Sequence, residues 1–356
     1  MRKRKVLICG PGFSQFSGGI QTHIRNFLEA FKEHETIDIS FFPITLGLYN
    51  SEAWTSKVKR NIWQVWPLCK KICASDIIHL NSTFDTRSVL RDSLYALLIS
   101  ILKKEAVLQF HGGRPSQIPM FSNIFLKKII SHIFQKYKHI LILSTGQRKE
   151  FKYFFPSIKT ILVKNYINVD KFRKNRWIEN KAPVFLFLGR IDETKGIRHI
   201  LDAVSILNKK QCQYSLNFCG RGPLQEWLKK TIIENNLQIN FRGVVAGKEK
   251  QEIMNNSDVM LLPTRHNEGM PYSILEAFCY GMPVISTAVG AIPDLVKDGE
   301  TGFLIGHNDF ESLANKMLYF CEHPKMILKM GNMARKAAEK FYSFKNMLEF
   351  YGKIYN

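Results

Sequence analysis

The sequence predicts an α/β protein built from two doubly wound domains. At 356 residues the chain is long for one hydrophobic core and sufficient for two. In both halves, short apolar runs typical of buried strands alternate with longer segments whose apolar residues recur at helical spacing. This alternation predicts parallel sheets with helices on both faces. A polar, charged stretch over residues 165–183 separates the halves and ends immediately before a new apolar run.

The elements follow in the same order in each half. The first half opens with a predicted strand over residues 5–9, a glycine-rich loop over 10–19 and a helix from Ile20. Its further strands are predicted over 37–42, 77–80, 106–110 and 139–143. Its further helices are predicted over 91–102 and 121–137. The second half has strands over 184–188, 215–219, 239–242, 259–262, 284–286 and 303–305, and helices over 197–209, 224–235 and 273–280. The predicted domains are therefore 1–165 and 183–335, joined by a linker over 166–182, with a C-terminal helix over 336–356.

The charge of the chain is strongly positive and unevenly distributed. Lys and Arg total 51 against 30 Asp and Glu, a net charge of +21. Residues 1–165 hold 25 basic and 10 acidic residues (+15), and residues 166–356 hold 26 and 20 (+6). A basic half predicts an anionic partner, for which nucleic acid, an acidic substrate and a negatively charged membrane all qualify. A generally basic proteome is the alternative explanation.

The location of the protein is predicted from two observations. No apolar run approaches the ~18 residues that cross a bilayer, and the apolar stretch after the basic N-terminus is too short for a signal peptide. The seven cysteines form no C-x-x-C pair, which is typical of reduced thiols. We therefore expect a cytoplasmic protein.

The glycine-rich loop of the first half is a candidate phosphate site. It begins like a dinucleotide-binding fingerprint, but Gln15 occupies the position of the third glycine. Gly18 and Gly19 precede the helix, and backbone N–H groups at a helix N-terminus are suited to a phosphate oxygen. A tight turn remains the alternative.

In the second half, two cations follow the first strand. Arg190 stands at the carboxyl end of that strand and Lys195 precedes the next helix. In doubly wound sheets ligands bind at the carboxyl ends of the strands, and a guanidinium with an ammonium suits a pyrophosphate. Solvated surface charges are the alternative interpretation.

The most specific segment runs from residue 262 to residue 281. Glu268 lies in the loop after a strand, and Glu276 lies about one turn into a helix that begins near Pro271 or Ser273. Gly269, Met270 and Pro271 precede this helix, whose N-terminal amides would favour an anion. Two carboxylates on either side of such a site could accept hydrogen bonds from sugar hydroxyls, although each alone would more often be a surface residue.

The segment resembles the GT4 family of retaining glycosyltransferases, whose E-x7-E signature Glu268 and Glu276 reproduce. The resemblance is strong over residues 183–306 and weaker in the first half. It is supported by Gly189-Arg190 with Lys195-Gly196, by the Cys219-Gly220-Arg221-Gly222-Pro223 turn, by Ser17-Gly18-Gly19, and by Asp298-Gly299 with Thr301-Gly302-Phe303. It implies the GT-B fold, with two Rossmann-like domains facing across a cleft and C-terminal helices crossing back to the first domain.

The resemblance also implies roles for individual residues. Arg190 and Lys195 would neutralise the diphosphate leaving group, Glu276 would bind the ribose hydroxyls, and Glu268 would bind the transferred sugar. The family pattern places the backbone of Val244 near the base and His111 near the donor sugar, although a hydrogen-bonded loop histidine is the alternative for His111. The complete predicted site comprises catalytic Glu268, His111, Arg190 and Lys195, with donor contacts also from Gly18, Gly19, Val244, Gly269, Met270, Pro271 and Glu276.

No metal or other cofactor is expected. The chain has no Asp-x-Asp pair and no His/Cys cluster at metal-ligand spacing. The resemblance implies that a UDP- or GDP-sugar is a substrate and that transfer occurs with retention on one face of the sugar. Glu268 as a covalent nucleophile is the less favoured alternative.

The acceptor is expected to be a glycan or a lipid-linked precursor of a cell-surface polysaccharide, such as capsule or lipopolysaccharide. The segment 121–137 is amphipathic and basic, with Lys127, Lys128, Lys136 and Lys138, and could lie on the anionic inner face of the plasma membrane. A core helix with a solvated polar face is the alternative. A UDP-sugar epimerase of the same fold and a basic nucleic-acid-binding protein are the other candidate functions, although no nucleic-acid-binding module is evident and nucleic acid is not the expected partner.

Overall fold

The computed structural model describes residues 2–13, 18–45, 66–172 and 182–356. The chain divides into two compact units, Met1–Tyr166 with Phe344–Asn356, and Ile167–Ser343. Each unit contains one six-stranded parallel sheet with helices, so the predicted α/β class with two doubly wound domains is confirmed. In the described part of the chain, none of the helices has the length and apolar character needed to span a bilayer.

The sheet of the first unit has the order β2-β1-β3-β4-β5-β6. Its strands are β1 (Arg4–Pro11), β2 (Ile37–Thr45), β3 (Ile77–Phe84), β4 (Glu105–Gly113), β5 (His139–Ile142) and β6 (Ile161–Leu162). The strand order reverses between β1 and β3, so the loop after β1 lies at the switch point where doubly wound sheets bind ligands.

The helices of the first unit begin where the sequence supplies capping side chains. They are α1 (Gly19–Ala30), α2 (Thr86–Ile101), α3 (Ile124–Phe134), α4 (Thr145–Phe154) and α12 (Phe344–Tyr355), with a further helical segment over residues 66–73. Asp85, Asn123 and Ser144 accept backbone N–H groups in the first turns of α2, α3 and α4. These caps move the helix starts away from the predicted residues 91 and 121. Phe121 itself lies in a 3₁₀ turn, Pro119–Ser122.

The strands β1 to β4 of the first unit are all longer than predicted. β4 was expected to end at residue 110, but it continues to Gly113 because that residue still pairs with Phe84 of β3. His111 is therefore a strand residue and not a loop residue.

The sheet of the second unit has the order β12-β11-β10-β7-β8-β9. Its strands are β7 (Val184–Leu188), β8 (Ser215–Cys219), β9 (Ile239–Gly243), β10 (Val259–Leu262), β11 (Val284–Thr287) and β12 (Gly302–Ile305). Here the order reverses between β7 and β10, which pair directly through Val259 with Phe185 and Met260 with Leu186. The loops after β7 and β10 therefore open at one point of the sheet edge.

The helices of the second unit follow these strands in turn. They are α5 (Ile197–Lys209), α6 (Gln225–Glu234), α7 (Gly247–Asn255), α8 (Tyr272–Cys279), α9 (Ile292–Leu295), α10 (Phe310–Glu322) and α11 (Lys325–Phe341). α10 packs against α5, and α11 packs against α8. Strands β7, β10 and β11 are buried, or nearly so, along their whole length, as expected for parallel strands covered on both faces.

The single C-terminal helix predicted over residues 336–356 is divided in two. α11 ends at Phe341, and α12 begins at Phe344 and packs in the first unit. Tyr342 and Ser343 form the break, because the carbonyl of Tyr342 accepts the N–H of Ile167 (2.8 Å) in a short bridge between the two chain segments. The Tyr351 hydroxyl then donates to Gln109 Oε1 (2.5 Å) inside the first unit.

Candidate functional site

The strongest grouping of predicted residues lies at the carboxyl ends of β7 and β10. Lys195 Nζ forms an ion pair with Glu268 Oε1, and both side chains are largely buried, with 18% and 13% of their surface exposed. Thr264 Oγ1 lies 3.1 Å from the same Glu268 oxygen. A cation and a carboxylate from two strands therefore meet at the switch point of the sheet.

Close backbone packing holds the Glu268 loop. Gly290 has a φ of +59°, and a Cβ at this position would collide with the Glu268 carbonyl. The next residue, Ala291, donates its N–H to that carbonyl (3.0 Å). The N–H of Arg265 donates to the Thr194 carbonyl (2.7 Å) beside Lys195. The loops after β7, β10 and β11 are thus fixed to one another around the carboxylate.

Arg190 is an exposed residue of the predicted site. Its side chain is 62% exposed, and its Nε lies 3.1 Å from Asp192 Oδ2. Asp192 also caps the short turn Glu193–Lys195, since its Oδ1 accepts the Thr194 N–H (2.9 Å). Arg190 is therefore attached to a rigid turn while its guanidinium remains open to an anion from solvent.

The second carboxylate has a cation of its own. Glu276 is the fifth residue of α8, which begins at Tyr272 after Pro271, in agreement with the predicted start. Its Oε1 lies 2.7 Å from Lys250 Nζ, and the two side chains are 15% and 31% exposed. Lys250 was not among the predicted site residues. The contact joins residues 26 positions apart on α7 and α8, so no local pattern indicates it.

The remaining residues of the second unit frame these carboxylates. Met270 is buried, with 5% of its surface exposed, and lies between Gly269 and the N-terminal end of α8. Val244 follows the end of β9 and is 50% exposed. Gly243, with a φ of +68°, turns the chain at this point and leaves Val244 at the surface.

The other predicted residues, Gly18, Gly19 and His111, lie in the first unit. Gly18 is the N-cap of α1, but its N–H donates to Gln21 Oε1 (2.6 Å), and Gln21 Nε2 donates to the Gly12 carbonyl (2.6 Å). The Gly18 amide is therefore already hydrogen-bonded, in contrast to the bare amide that the glycine pattern predicts. Ser17 lies outside the described residues.

His111 belongs to a buried polar group. Asn81 Nδ2 donates to the Cys9 carbonyl (3.1 Å), which turns Asn81 Oδ1 toward His111 Nε2 at 2.8 Å. This orientation assigns the proton to Nε2 of His111. Burial, together with His23 and His79, holds the pKa of His111 well below its ordinary value, so the ring is neutral.

Metal ligation has no evident place in the described part of the chain, where no group of three or more His, Cys, Asp or Glu side chains is suitably arranged. Arg190, Lys195 and Lys250 are cations of these loops and helices that could bind an anion.

Comparisons with known proteins show which sequences and folds this chain resembles. Residues 168–337 match the family model for glycosyl transferases group 1. The chain is 28% identical over 163 residues to the putative colanic acid biosynthesis glycosyltransferase WcaL of Salmonella typhimurium, covering 43% of this chain and 40% of that protein. The chain thus aligns with less than half the length of that relative.

Two further comparisons cover more of the chain. It is 25% identical to the amylovoran biosynthesis glycosyltransferase AmsK of Erwinia amylovora over 76% of this chain and 67% of that protein. Among solved structures, Anabaena HepE in complex with UDP-glucose superimposes with a TM-score of 0.74 and 15% identity, covering 98% of each chain. At this identity the likeness establishes the fold alone.

Proposed function

Because residues 168–337 match the family model for glycosyl transferases group 1, we propose that this chain transfers a sugar from a nucleoside-diphosphate sugar to an acceptor hydroxyl with retention. The observation that carries the proposal is the pairing of Lys195 with Glu268 where β7 and β10 end. A cation for the leaving group and a carboxylate for the sugar stand next to each other there.

In this proposal the two cations act on the diphosphate. As the bond from the anomeric carbon to the phosphate oxygen breaks, its electron pair leaves with the diphosphate, and negative charge grows on that oxygen. The exposed guanidinium of Arg190 and the ammonium of Lys195 would stabilise this charge, which is larger in the transition state than in the bound donor. Lys195 would then exchange part of its contact with Glu268 for a phosphate oxygen.

The two carboxylates divide the donor between them. Glu276, held by Lys250, would accept hydrogen bonds from the ribose hydroxyls, and Glu268 would accept them from the transferred sugar. The acceptor oxygen attacks the anomeric carbon on the face from which the diphosphate departs. Its proton passes to the departing phosphate oxygen, so that the reaction balances without a protein nucleophile.

The contacts of the donor with Val244, Gly269, Met270 and Pro271 remain part of the proposal, as do those with Gly18, Gly19 and His111 in the first unit. We propose no metal and no other cofactor, because Arg190, Lys195 and backbone amides supply the positive charge that a metal would otherwise supply.

The substrates are proposed from the relatives. The names of WcaL and AmsK refer to colanic acid and amylovoran biosynthesis, which supports a surface polysaccharide or its lipid-linked precursor as the product. The HepE complex holds UDP-glucose, which supports a UDP-sugar donor, with a GDP-sugar as the alternative. A lipid-linked acceptor would place the chain at the cytoplasmic face of the membrane that carries it.

A panel of nucleotide sugars tests the proposal. One or a few UDP- or GDP-sugars should raise the melting temperature of the second unit and undergo slow hydrolysis to the nucleoside diphosphate, with the released sugar initially in the donor's anomeric form. Conversion of the donor to an epimeric nucleotide sugar without any acceptor would instead identify an epimerase. No stabilisation by any member of the panel, with binding of DNA instead, would contradict the proposal.

A further inference from the structure

Two neighbouring helices of the first unit carry large apolar side chains on their outer surface. On α2 these residues recur at intervals of four, three and four, which is one face of a helix. On α3 they occupy the first turn and a half. The exposed fractions are 47% for Leu90, 68% for Leu94, 39% for Leu97, 76% for Ile101, 68% for Ile124, 71% for Phe125 and 41% for Ile129. We call these seven residues the α2–α3 surface.

These seven residues lie outside the hydrophobic core of the first unit. The opposite side of α2, with Val89, Ala96 and Ile99, and the opposite side of α3, with Ile130 and Phe134, pack into the same hydrophobic cluster. That cluster covers one face of the first sheet, and α2 contacts α3. Both helices therefore turn their second apolar side outward from the same face of the sheet.

The exposed apolar residues of the segment 121–137 differ from those of the amphipathic helix that the sequence predicts. The whole segment was expected to present an apolar side to the membrane, but its residues Phe121, Ile133 and Tyr137 are buried. The exposed apolar residues of α3 lie in its first turns, and α2, which was not expected to take part, supplies four of the seven residues of the surface.

The stretch of chain that forms this surface carries an excess of positive charge. Between residues 86 and 138 the chain has nine Lys and Arg and two acidic residues. Both acids are already paired: Asp92 is buried 2.8 Å from Arg91, and Glu105 lies 3.0 Å from Lys138 and 2.9 Å from Arg4. The exposed cations Arg87, Lys103 and Lys128 remain around the apolar side chains, and no acidic group in this stretch is left to balance them.

We propose that the α2–α3 surface docks on an anionic lipid bilayer. The apolar side chains would enter the interface between headgroups and acyl chains, while Lys and Arg extend to the lipid phosphates. A second copy of this chain fits less well, because pairing the surface with itself would bring two excesses of seven positive charges together. An apolar surface of this extent on a soluble domain marks an interaction site.

Vesicle co-sedimentation of the full chain tests the proposal. We expect binding to vesicles of phosphatidylcholine with 30% phosphatidylglycerol, at most weak binding to pure phosphatidylcholine, and release as salt rises, all of which follow from a screened electrostatic contribution. The double substitution Leu94→Ser with Ile101→Ser should weaken binding by about tenfold or more, because it removes the two most exposed aliphatic side chains of α2.

The matched control is Ile233→Ser on α6 of the second unit. Ile233 is equally exposed, at 78%, but lies outside the α2–α3 surface, so its substitution should leave vesicle binding unchanged. All three positions lie at the surface, and equal melting temperatures of the variants would exclude unfolding as the cause. Binding of the double variant with the affinity of the parent would overturn the proposal.

A second measurement reports insertion directly. The substitution Leu94→Trp should increase the quenching of tryptophan fluorescence by bromine-labelled acyl chains, compared with the unsubstituted chain. The substitution Ile233→Trp should leave this quenching unchanged. Equal quenching at both positions would overturn the lipid assignment. It would also be overturned if the parent bound no vesicles but formed a dimer, and the Leu94→Ser/Ile101→Ser variant lost that dimer. Stabilisation by nucleotide sugars does not depend on either result, so the failure of this proposal is distinguishable from failure of the proposed transferase.

Discussion

Lys250 Nζ lies 2.7 Å from Glu276 Oε1, and this ion pair joins α7 to α8 beside the β7–β10 edge of the second sheet. One carboxylate oxygen of Glu276 binds the ammonium of Lys250. The side chain is 15% exposed, so the carboxylate still reaches the surface. We infer that Lys250 positions Glu276 for the ribose.

Replacing Lys250 with Met should lower the affinity for the nucleoside diphosphate by about tenfold. The substitution removes a charge-assisted hydrogen bond that orients the carboxylate and leaves Glu276 without its cation in a half-buried place. Isothermal titration with UDP and with GDP measures the effect. The control is Lys248→Met, an exposed lysine of the same helix, which should bind as the parent does. Unchanged affinity in the Lys250 variant would exclude the positioning role.

Removing either leaving-group cation should slow transfer by about 10²–10³-fold at saturating donor. Each cation stabilises charge that develops as the diphosphate leaves, so the loss appears in kcat. Lys195→Ala should have the larger effect, because it also leaves the buried Glu268 unpaired, whereas Arg190 is exposed. Arg198→Ala, which removes an exposed cation paired with Glu193, serves as the control and should retain activity. Full turnover by either Arg190→Ala or Lys195→Ala would remove that residue from the mechanism.

The two carboxylates should separate in their effects on binding and turnover. Glu276→Gln should weaken the binding of free nucleoside diphosphate, since the ribose is present in that ligand. Glu268→Gln should depress transfer and leave diphosphate affinity nearly intact, because its proposed partner is the sugar. Titration calorimetry with the nucleoside diphosphate measures the loss of affinity, and initial rates with the donor measure the loss of transfer. Equal losses of diphosphate affinity in both variants would contradict this division.

The stability of the first unit should fall in acid. Burial lowers the pKa of His23 and of His79 to about 3, compared with 6.5 for the unfolded chain. Between pH 6.5 and 3 the unfolded chain therefore binds more protons, and the free energy of unfolding decreases as the pH falls. Each histidine contributes a loss of about 2 kcal/mol between pH 7 and pH 5.

Denaturant unfolding at pH 7 and pH 5 measures this loss. His79→Gln should flatten the pH dependence by the share of one histidine, although it also perturbs the contact of His79 Nδ1 with the Tyr355 hydroxyl (2.6 Å). His132→Gln, which removes an exposed histidine of α3, should leave the slope unchanged. A His79 variant with the slope of the parent would show that the buried ring is not the titrating group.

Chelation should leave transfer unchanged. We expect the same initial rate in EDTA as in Mg²⁺ or Mn²⁺, because Arg190 and Lys195 supply the charge for the diphosphate. The measurement is the rate of diphosphate release with and without a chelator, after dialysis to remove bound ions. A loss of activity in EDTA that Mn²⁺ restores would overturn this prediction.

The sequence alone determined the elements of the second unit closely. β7, β8 and β10 and helix α5 have the predicted bounds. Strands buried on both faces require continuous apolar runs, and the adjoining turns are marked by glycine and charged residues, so local composition is sufficient there. The helix start at Tyr272 follows from the same local signals, and it sets Glu268 before α8 and Glu276 within it.

Tertiary structure decided what depends on distant pairing. β4 extends through His111 because Phe84 of β3 continues the ladder to Gly113. The partners of the two carboxylates, Lys195 and Lys250, lie 73 and 26 residues away, and no periodicity connects such positions. The apolar side chains of α2 are indistinguishable from core residues in the sequence. Only packing against the sheet shows which of them are buried and which remain at the surface. The sequence does not distinguish the two, because apolar residues recur at helical spacing on both sides of α2.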